Sequence, residues 1–427
     1  MKKNSYRAKN VKKINVKKLK EQVTNKNIVF GIDVAKEDMC AVFMDESREV
    51  IMTIKWKHPS ESECVLELLQ SLNCSRLVAA MEPSGTYGDS FRFQLKQIGI
   101  EVFKVAPKKS SNFNEIYDGV PSSHDAKSSA VVARLHSDGF SRVWEEQSDL
   151  EKELCADISI LEIYQEHYRR QLNRLEALLA RHWPELTHIL ELTSVSLLEL
   201  LLEFGGPQQV SAAQEKAGKL LRRIGRHFLA QEKIDAILKS AATTLGVPPT
   251  EAEQQLIIHL AREARRADKK AKKAKQKIEK RSEEIECITQ MGKIVGKVTA
   301  TVVYAKVGAP KDFTSPAMFI KAMGLNIKER SSGKHKGQLK ITKRGPSIVR
   351  KYLYMAILRL KQDNIIFEKW FERKIKRDGG KKGRGLVALM RKIAKALWYV
   401  GQGSPFDARL LFDCRRLKLT EEEIRGY

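Results

Sequence analysis

The chain has no long apolar run and no closely spaced cysteines. No apolar stretch approaches the ~20 residues that a membrane-spanning helix needs. The N-terminus is basic but lacks the apolar core of a signal peptide. The six cysteines are scattered with no Cys-x-x-Cys pair, so neither a zinc site nor a disulfide framework is indicated. We therefore expect a protein of the reducing cytoplasm with no membrane partner.

Acidic residues are few relative to basic ones. The 427 residues include 52 Asp and Glu against 78 Lys and Arg, which gives a net charge of +26. A field of that sign attracts polyanions, and nucleic acid is the commonest of them. An anionic membrane surface is the alternative, but the basic residues are spread along the whole chain and no lipidation motif occurs. The length allows two or three domains, and the 42% hydrophobic content allows a sizeable core.

A carboxylate lies at the end of the first strongly apolar stretch. Residues Asn27–Val34 form a short run rich in β-branched side chains, which predicts a strand. Asp33 lies near the end of this run, two residues after Gly31. A buried acid is costly unless a partner compensates its charge. Asp33 is therefore either a strand-end residue that caps a turn or a metal ligand on a central strand.

The residues that follow predict a sheet with intervening helices. The expected further strands are Met39–Met44, Glu49–Trp56, Arg76–Met81 and Glu101–Val105, and the expected helices are Ser60–Leu72 and Thr86–Ile98. This order, closed by one more helix, predicts an α/β ribonuclease-H-like (RuvC-like) domain over residues 27–145. Ligands of open sheets bind beyond the carboxyl ends of strands, where Glu82 lies as Asp33 does.

A third acid, Asp125, begins a predicted helix. The preceding Ser122 and Ser123 suit an N-cap, and small and apolar residues follow at helical spacing. An acid in the first turn is favoured by the helix dipole alone, which is a sufficient structural reason for Asp125. Together with Asp33 and Glu82, however, it forms a trio of carboxylates of the kind that holds Mg²⁺ or Mn²⁺.

Residues 1–26 form a Lys-rich arm that we expect to be disordered. Separately, two long helices are predicted in the middle of the chain. Leu150–Ala180 and Glu251–Ile288 carry apolar and alanine residues at steps of three and four, which predicts an antiparallel coiled coil over residues 146–288. A small helical insertion is expected at about residues 184–249. The basic flanks of the helices either bind nucleic acid or another protomer, or are simply solvated.

The last third, residues 289–413, predicts a mostly α-helical domain, followed by a tail at residues 414–427. A basic, glycine-containing loop holds two serines, Ser331 and Ser332. Loops of this kind are often only loops, but one surrounded by cations is also where a hydroxyl can be activated against a phosphodiester. The cations that we expect to bind nucleic acid are Lys328, Arg330, Lys334, Lys336, Lys343, Arg344 and Arg350.

The order and spacing of several short segments resemble one family. These are Gly31-Ile32-Asp33-Val34, Met81-Glu82-Pro83-Ser84-Gly85-Thr86-Tyr87, Asp125-Ala126-Lys127, Gly324-Leu325-Asn326, Ser332-Gly333-Lys334, and Lys343-Arg344-Gly345 with Arg350. The chain is similar, from Asn27 to about Asp413, to insertion-sequence transposases with a DEDD-type acidic N-terminal domain and a serine C-terminal domain. That family includes the pilin-gene invertases and bridge-RNA-guided recombinases.

The resemblance implies a role for each motif. Metal binding falls to Asp33, Glu82 and Asp125, and the nucleophile is Ser332, directly before the glycine. The serine attacks a DNA phosphate and forms a covalent phosphoserine link during strand exchange. Donor and target DNA, an element-encoded guide RNA and further copies of the chain, as a dimer or tetramer with a composite active site, are the expected partners. The expected location is the prokaryotic cytoplasm, near the nucleoid.

One family position differs, and two other functions stay open. The usual pattern has an aspartate three residues before Asp125, where this chain has Ser122, so that either Asp118 replaces it or three acids suffice. The first alternative function is a metal-dependent junction resolvase or nuclease that uses the acids alone. The second is a non-catalytic nucleic-acid-binding protein. Dependence on both Mg²⁺ and Ser332 distinguishes the transposase prediction from both.

Overall fold

The chain divides into two compact units, one ending at Glu146 and the other beginning at Gln147. A computed structural model describes residues 7–83, 85–329, 337 and 339–420. Among the described residues, no helix is both long and apolar enough to cross a bilayer.

The first unit contains one mixed sheet of seven strands, in the order β1-β4-β3-β2-β5-β6-β7. Its strands are β1 (Lys9–Asn10), β2 (Asn27–Asp33), β3 (Asp38–Met44), β4 (Val50–Lys57), β5 (Arg76–Met81), β6 (Glu101–Val105) and β7 (Ser141–Val143). The five predicted strands are all present, and β2, β3 and β4 form an antiparallel meander. β5 and β6 continue the sheet parallel to β2.

Helices cover the sheet and complete its core. They are α1 (Val16–Val23), α2 (Ser62–Gln70), α3 (Asp89–Gln97), α4 (Pro107–Asp118) and α5 (Asp125–Ser137). One core joins the apolar side chains of α1, α2 and α3 to the sheet around Phe30 and Trp56. Small and branched side chains of α5, such as Ala130 and Val131, pack on the sheet in further clusters. This mixed sheet with helices is compatible with the ribonuclease-H-like prediction.

The prediction of a disordered arm was wrong for the described part of residues 1–26. Lys9 and Asn10 pair in parallel with Ile54 and Lys55 of β4. The helix α1 buries Leu19 and Val23 completely. These two side chains are four residues apart, so they lie on one face of the helix and pack into the core. The lysines occupy the remaining faces, which explains why composition alone indicated a solvated arm.

The second unit is almost entirely helical. Its elements are α6 (Asp149–His182), α7 (Leu186–Ile189), α8 (Val195–Phe204), α9 (Pro207–Ala212), α10 (Gln214–Gly225), α11 (Gln231–Thr243), α12 (Glu251–Ser282), α13 (Glu286–Val295), α14 (Lys297–Val307), α15 (Pro316–Ala322), β8 (Ile327–Lys328), β9 (Lys340–Ile341), α16 (Ser347–Asp363), α17 (Ile365–Arg377), α18 (Lys382–Val400) and α19 (Ala408–Leu411). The four central helices α8–α11 form a small core with parts of α6 and α12.

The two long helices α6 and α12 run antiparallel. Arg281 at the end of α12 forms an ion pair with Glu153 at the start of α6, and Arg181 at the end of α6 pairs with Glu253 at the start of α12. A capping box begins each helix, which fixes both N-termini. The predicted continuous helix Glu251–Ile288 was wrong at its end, because the chain breaks after Ser282 and restarts as α13. Coiled-coil packing as such stays a prediction.

Candidate active site

Asp33 and Glu82 lie at the same edge of the central sheet. β2 and β5 are parallel neighbours, with Ile32 aligned to Met81. Asp33 is the last residue of β2, and Glu82 is the first residue after β5. Consecutive positions after an aligned pair stay side by side, since neighbouring strands lie ~4.8 Å apart. The two predicted acids therefore emerge together at the carboxyl ends of two central strands.

Gly31 allows α5 to pack unusually closely against β2. A Cβ atom placed on Gly31 would lie 2.6 Å from the Ser129 carbonyl oxygen and 2.7 Å from the Ala133 backbone nitrogen. Only glycine permits this approach of helix to strand. The helix begins at Asp125, with His124 rather than the predicted serines as its N-cap. Gly31 thus brings the first turn of α5 to the end of β2.

The three acids interact electrostatically. Burial, followed by the charges of Asp125 and Glu82, raises the pKa of Asp33 to about 6. Burial also raises the pKa of Glu82, an effect that the nearby Ser110 hydroxyl partly offsets. Cys40, the cross-strand partner of Asp33, has its pKa raised to about 11, mainly by burial, so that it stays a neutral thiol. The site is an anionic one in which the charges repel one another.

The donor set suits a hard divalent cation. Within the described ranges, no group of three His, Cys, Asp or Glu side chains is arranged to hold a metal ion. The chemistry of the residues nevertheless fits, because Mg²⁺ and Mn²⁺ prefer carboxylate oxygens and commonly keep several waters. The repulsion that raises the pKa of Asp33 is also what a bound cation would relieve. Asp33, Glu82 and Asp125 are the residues that would hold it.

Asp118 is held in an ion pair within a polar network. Its carboxylate lies 2.7 Å from the ammonium of Lys127, whose side chain is fully buried. The same ammonium donates to the backbone carbonyls of Val120 (2.6 Å) and Ser122 (2.9 Å). Lys127 therefore fixes the loop that leads into Asp125, and Asp118 compensates its charge. The sequence motif contains Lys127, but sequence reasoning gave it no role.

The basic loop with the predicted nucleophile Ser332 lies largely outside the described residues. Ser331, Ser332, Arg330, Lys334 and Lys336 all fall in that part of the chain. The two short strands β8 and β9 pair on either side of it, with Ile327 opposite Ile341 and Lys328 opposite Lys340. The described basic residues Lys328, Lys343 and Arg344 are exposed at this hairpin, as expected for side chains that meet phosphates.

Arg350 holds together the backbone segments beside the β8–β9 pair. Its guanidinium donates to the carbonyls of Met323 (3.2 Å) and Gly345 (2.8 Å). Gly324 adopts a left-handed φ of 71°, and a Cβ there would lie 2.8 Å from the same guanidinium. Arg350 thus connects the two segments that flank β8 and β9. That it also binds nucleic acid stays a prediction.

Two basic surfaces of the second unit were only partly predicted. Arg262, Arg266, Lys269 and Lys273 are exposed on one face of α12, beside an open cavity of about 500 Å³. A second cavity, of about 230 Å³, has the Lys392 ammonium 5.5 Å from the Trp370 ring and 4.9 Å from the Phe412 ring. Its other basic residues are Arg373, Lys374, Arg377 and Arg416. Cations beside aromatic rings suit both phosphates and bases.

Comparison with known families agrees with this organisation. Residues 30–184 match a family model for DEDD transposases of the IS110 type, described as Transposase. Residues 291–369 match the model described as Transposase IS116/IS110/IS902 family. No curated protein matches the chain. DEDD transposase domains are typically dependent on a divalent metal. The prediction of a DNA-acting enzyme is confirmed: the chain carries IS110-family transposase domains and is a DNA transposase or recombinase.

Proposed function

We propose that this transposase excises and inserts a mobile element with two catalytic centres. Asp33, Glu82 and Asp125 bind Mg²⁺ or Mn²⁺ on a ribonuclease-H-like domain, and Ser332 is the nucleophile that becomes joined to DNA. The observation that carries the proposal is that Asp33 and Glu82 lie at the ends of neighbouring strands at one sheet edge and that the charges of Glu82 and Asp125 both raise the pKa of Asp33. Structural acids are normally paired, whereas perturbed ones cluster at functional sites.

In each step of the proposed strand exchange, one phosphoester bond forms as another breaks. The Ser332 hydroxyl loses its proton to a base or water and attacks a DNA phosphate, so that one Oγ–P bond forms as one strand P–O bond breaks. The departing DNA hydroxyl takes up a proton. A hydroxyl of the new partner strand then loses its proton and attacks the phosphoserine, so that a new strand P–O bond forms as the Oγ–P bond breaks and the serine takes up a proton. When bound, a divalent cation stabilises charge on the phosphate and lowers the pKa of an oxygen nucleophile.

The partners follow from charge and from the family resemblance. A net charge of +26 and the exposed cations of α12 favour long polyanions, which fits donor and target DNA together with a guide RNA. Protonated lysines and arginines near Ser332 stabilise phosphate charge but are poor bases. The acidic centre must therefore act together with the serine, and we propose that the two come from different protomers of a homo-oligomer.

The test is a covalent adduct between protein and DNA. Wild-type protein, purified with its co-purifying RNA, is incubated with Mg²⁺ and DNA that contains the element ends, then analysed by denaturing gel and peptide mass. We expect the adduct on the peptide that contains Ser332. Ser331→Ala is the matched control, since it alters the adjacent hydroxyl and should keep the adduct. An adduct that persists in Ser332→Ala contradicts the assignment of the nucleophile.

A mixing experiment tests the composite site. Ser332→Ala and Asp33→Ala proteins are each expected to be inactive, and together they should regain part of the recombination activity. Failure of the mixture, with each variant folded and able to assemble with wild type, contradicts a site shared between protomers. DNA cleavage that needs Mg²⁺ but survives Ser332→Ala supports the resolvase alternative instead.

A further inference from the structure

One face of α4 is polar and lies beside the acidic site. Ser110, Asn114 and Asp118 follow one another at intervals of four residues, so they lie on the same side of this helix. Apolar positions of α4, such as Phe113, pack instead against the core around Val105 and Val131. The helix begins at Pro107, two residues after β6 ends at the same edge of the sheet as β5.

The two ends of this face are placed by contacts. Ser110 lies close enough to Glu82 for its hydroxyl to lower the pKa of that acid. Asp118 contacts Lys127, two residues after Asp125. Asn114 lies one helical turn from both Ser110 and Asp118 on the same face of α4. The polar face thus extends from Ser110 beside Glu82 to the ion pair of Asp118 with Lys127.

Two oxygens on this face are buried without a hydrogen bond of ordinary geometry. They are the Ser110 hydroxyl oxygen, which lies near the Glu82 carboxyl, and the Asn114 side-chain carbonyl oxygen. Ser110 is only 7% exposed. Folded proteins satisfy nearly all buried polar atoms, so that two unsatisfied oxygens on one helix face beside an anionic site need an explanation.

We propose that Ser110 and Asn114 are neutral oxygen donors of the divalent-cation site, reaching the ion directly or through its waters. The inference rests on the proposed metal site at Asp33, Glu82 and Asp125. Small hard cations demand a full set of oxygen donors, and neutral amide and hydroxyl oxygens provide them without adding negative charge. This assignment supplies oxygen donors in place of Asp118, which is ion-paired with Lys127, and it gives the Ser110 and Asn114 oxygens a ligand.

The experiment measures metal-induced thermal stabilisation of the full chain, without DNA. MnCl₂ or MgCl₂ is titrated against wild type and against Asn114→Leu, Asn114→Asp and Ser110→Ala. Asn114→Leu removes an unsatisfied buried oxygen, so its metal-free melting temperature should hold or rise. Its half-saturating metal concentration should rise about 10-fold, the usual cost of losing one supporting ligand. Asn114→Asp should lower that concentration below the wild-type value, and Ser110→Ala should raise it.

Matched substitutions on exposed positions of the same helix serve as controls. Asn112→Leu and Ser111→Ala change the same chemistry where the side chains face solvent, and neither should alter the metal response. Unchanged metal affinity in Asn114→Leu, Asn114→Asp and Ser110→Ala, while Asp33→Asn abolishes the response, overturns the inference and leaves the metal site standing. A metal response that survives Asp33→Asn overturns both, because the site itself then lies elsewhere.

Discussion

Two aspartates of this protein have opposite surroundings. Asp157 on α6 is 3% exposed, and its carboxylate lies 2.8 Å from the Lys277 ammonium and 3.2 Å from the Arg281 guanidinium. Asp33 in the first unit is half-buried, and the charged groups that raise its pKa are two further acids. One carboxylate meets two cations and the other meets two anions, although both lie on regular secondary structure.

The difference distinguishes an acid that stabilises the fold from an acid whose arrangement suits ligand binding. The cations of α12 hold Asp157 and thereby fix the antiparallel helix pair. At Asp33, burial and repulsion make the ionised carboxylate costly, and nothing in folding alone requires three acids at one sheet edge. Such an arrangement persists where selection favours binding or catalysis over stability. The two kinds of acid should therefore respond differently to substitution.

The largest effect is expected at the acidic site. Asp33→Asn, Glu82→Gln and Asp125→Asn should each reduce recombination about 10³-fold or more, the scale of several kcal/mol of lost charge stabilisation. The metal-free melting temperature at neutral pH should hold or rise. An acid with a raised pKa destabilises the native state while it is ionised, so that removing the charge at Asp33 gains about 1–3 kcal/mol. Recombination assays and calorimetry on the same samples measure both; a large loss of stability contradicts the comparison.

A large loss of stability is expected instead from Asp118→Ala. The substitution leaves the fully buried Lys127 without its compensating charge, which costs about 3 kcal/mol or more. Asp38→Ala is the control, because the pair of Asp38 with Lys57 is well exposed and contributes less than about 1 kcal/mol. Denaturant unfolding measures both. If Asp118 were instead a metal ligand, its loss would abolish metal-induced stabilisation while metal-free stability held.

The acidic site could be predicted from the sequence because the pattern that indicates it, an apolar strand followed by a carboxylate, is local. Asp33 and Glu82 each end an apolar strand, and parallel pairing of such strands brings their ends together. The helix α4 was not predicted, since its apolar positions, Phe113, Ile116 and Tyr117, are few and follow a polar stretch. Without that helix, Ser110 and Asn114 had no place beside Glu82.

Other features depend on contacts that no local pattern reveals. Lys127 stands in a recognisable motif, but only the fold shows that it is buried against Asp118 and two backbone carbonyls. Leu19 and Val23 are two apolar residues in a lysine-rich stretch, and their burial depends on a core built by distant strands. The lysine-rich composition correctly indicated that most of α1 is exposed, but it did not indicate that one face of α1 packs into the core.

A moderate loss of stability is expected from Asp157→Asn. The change removes the charge of a buried carboxylate that accepts a hydrogen bond from Lys277 and forms an ion pair with Arg281, and it should lower the free energy of unfolding by about 1.5–3 kcal/mol. Asp33→Asn is the same substitution with the opposite expected sign. Recombination, normalised to folded protein, should change little in Asp157→Asn. Denaturant titration of the two variants side by side measures the contrast, and equal signs would remove it.

A similar loss of stability, and the sharpest test of the geometry, is expected from Gly31→Ala. The added methyl would lie 2.6 Å from the Ser129 carbonyl oxygen, so that α5 must move away from β2 at a cost of about 1–3 kcal/mol. Gly383→Ala is the matched control, because nothing lies within 4 Å of its Cβ and alanine favours the helix α18. Moving α5 also moves Asp125 away from Asp33, so recombination should fall further than the lost stability explains. Since the like charges would then separate, carbon-13 NMR of Asp33 should show its pKa falling toward the ordinary value; an unchanged pKa would mean that Gly31 does not hold the carboxylates together.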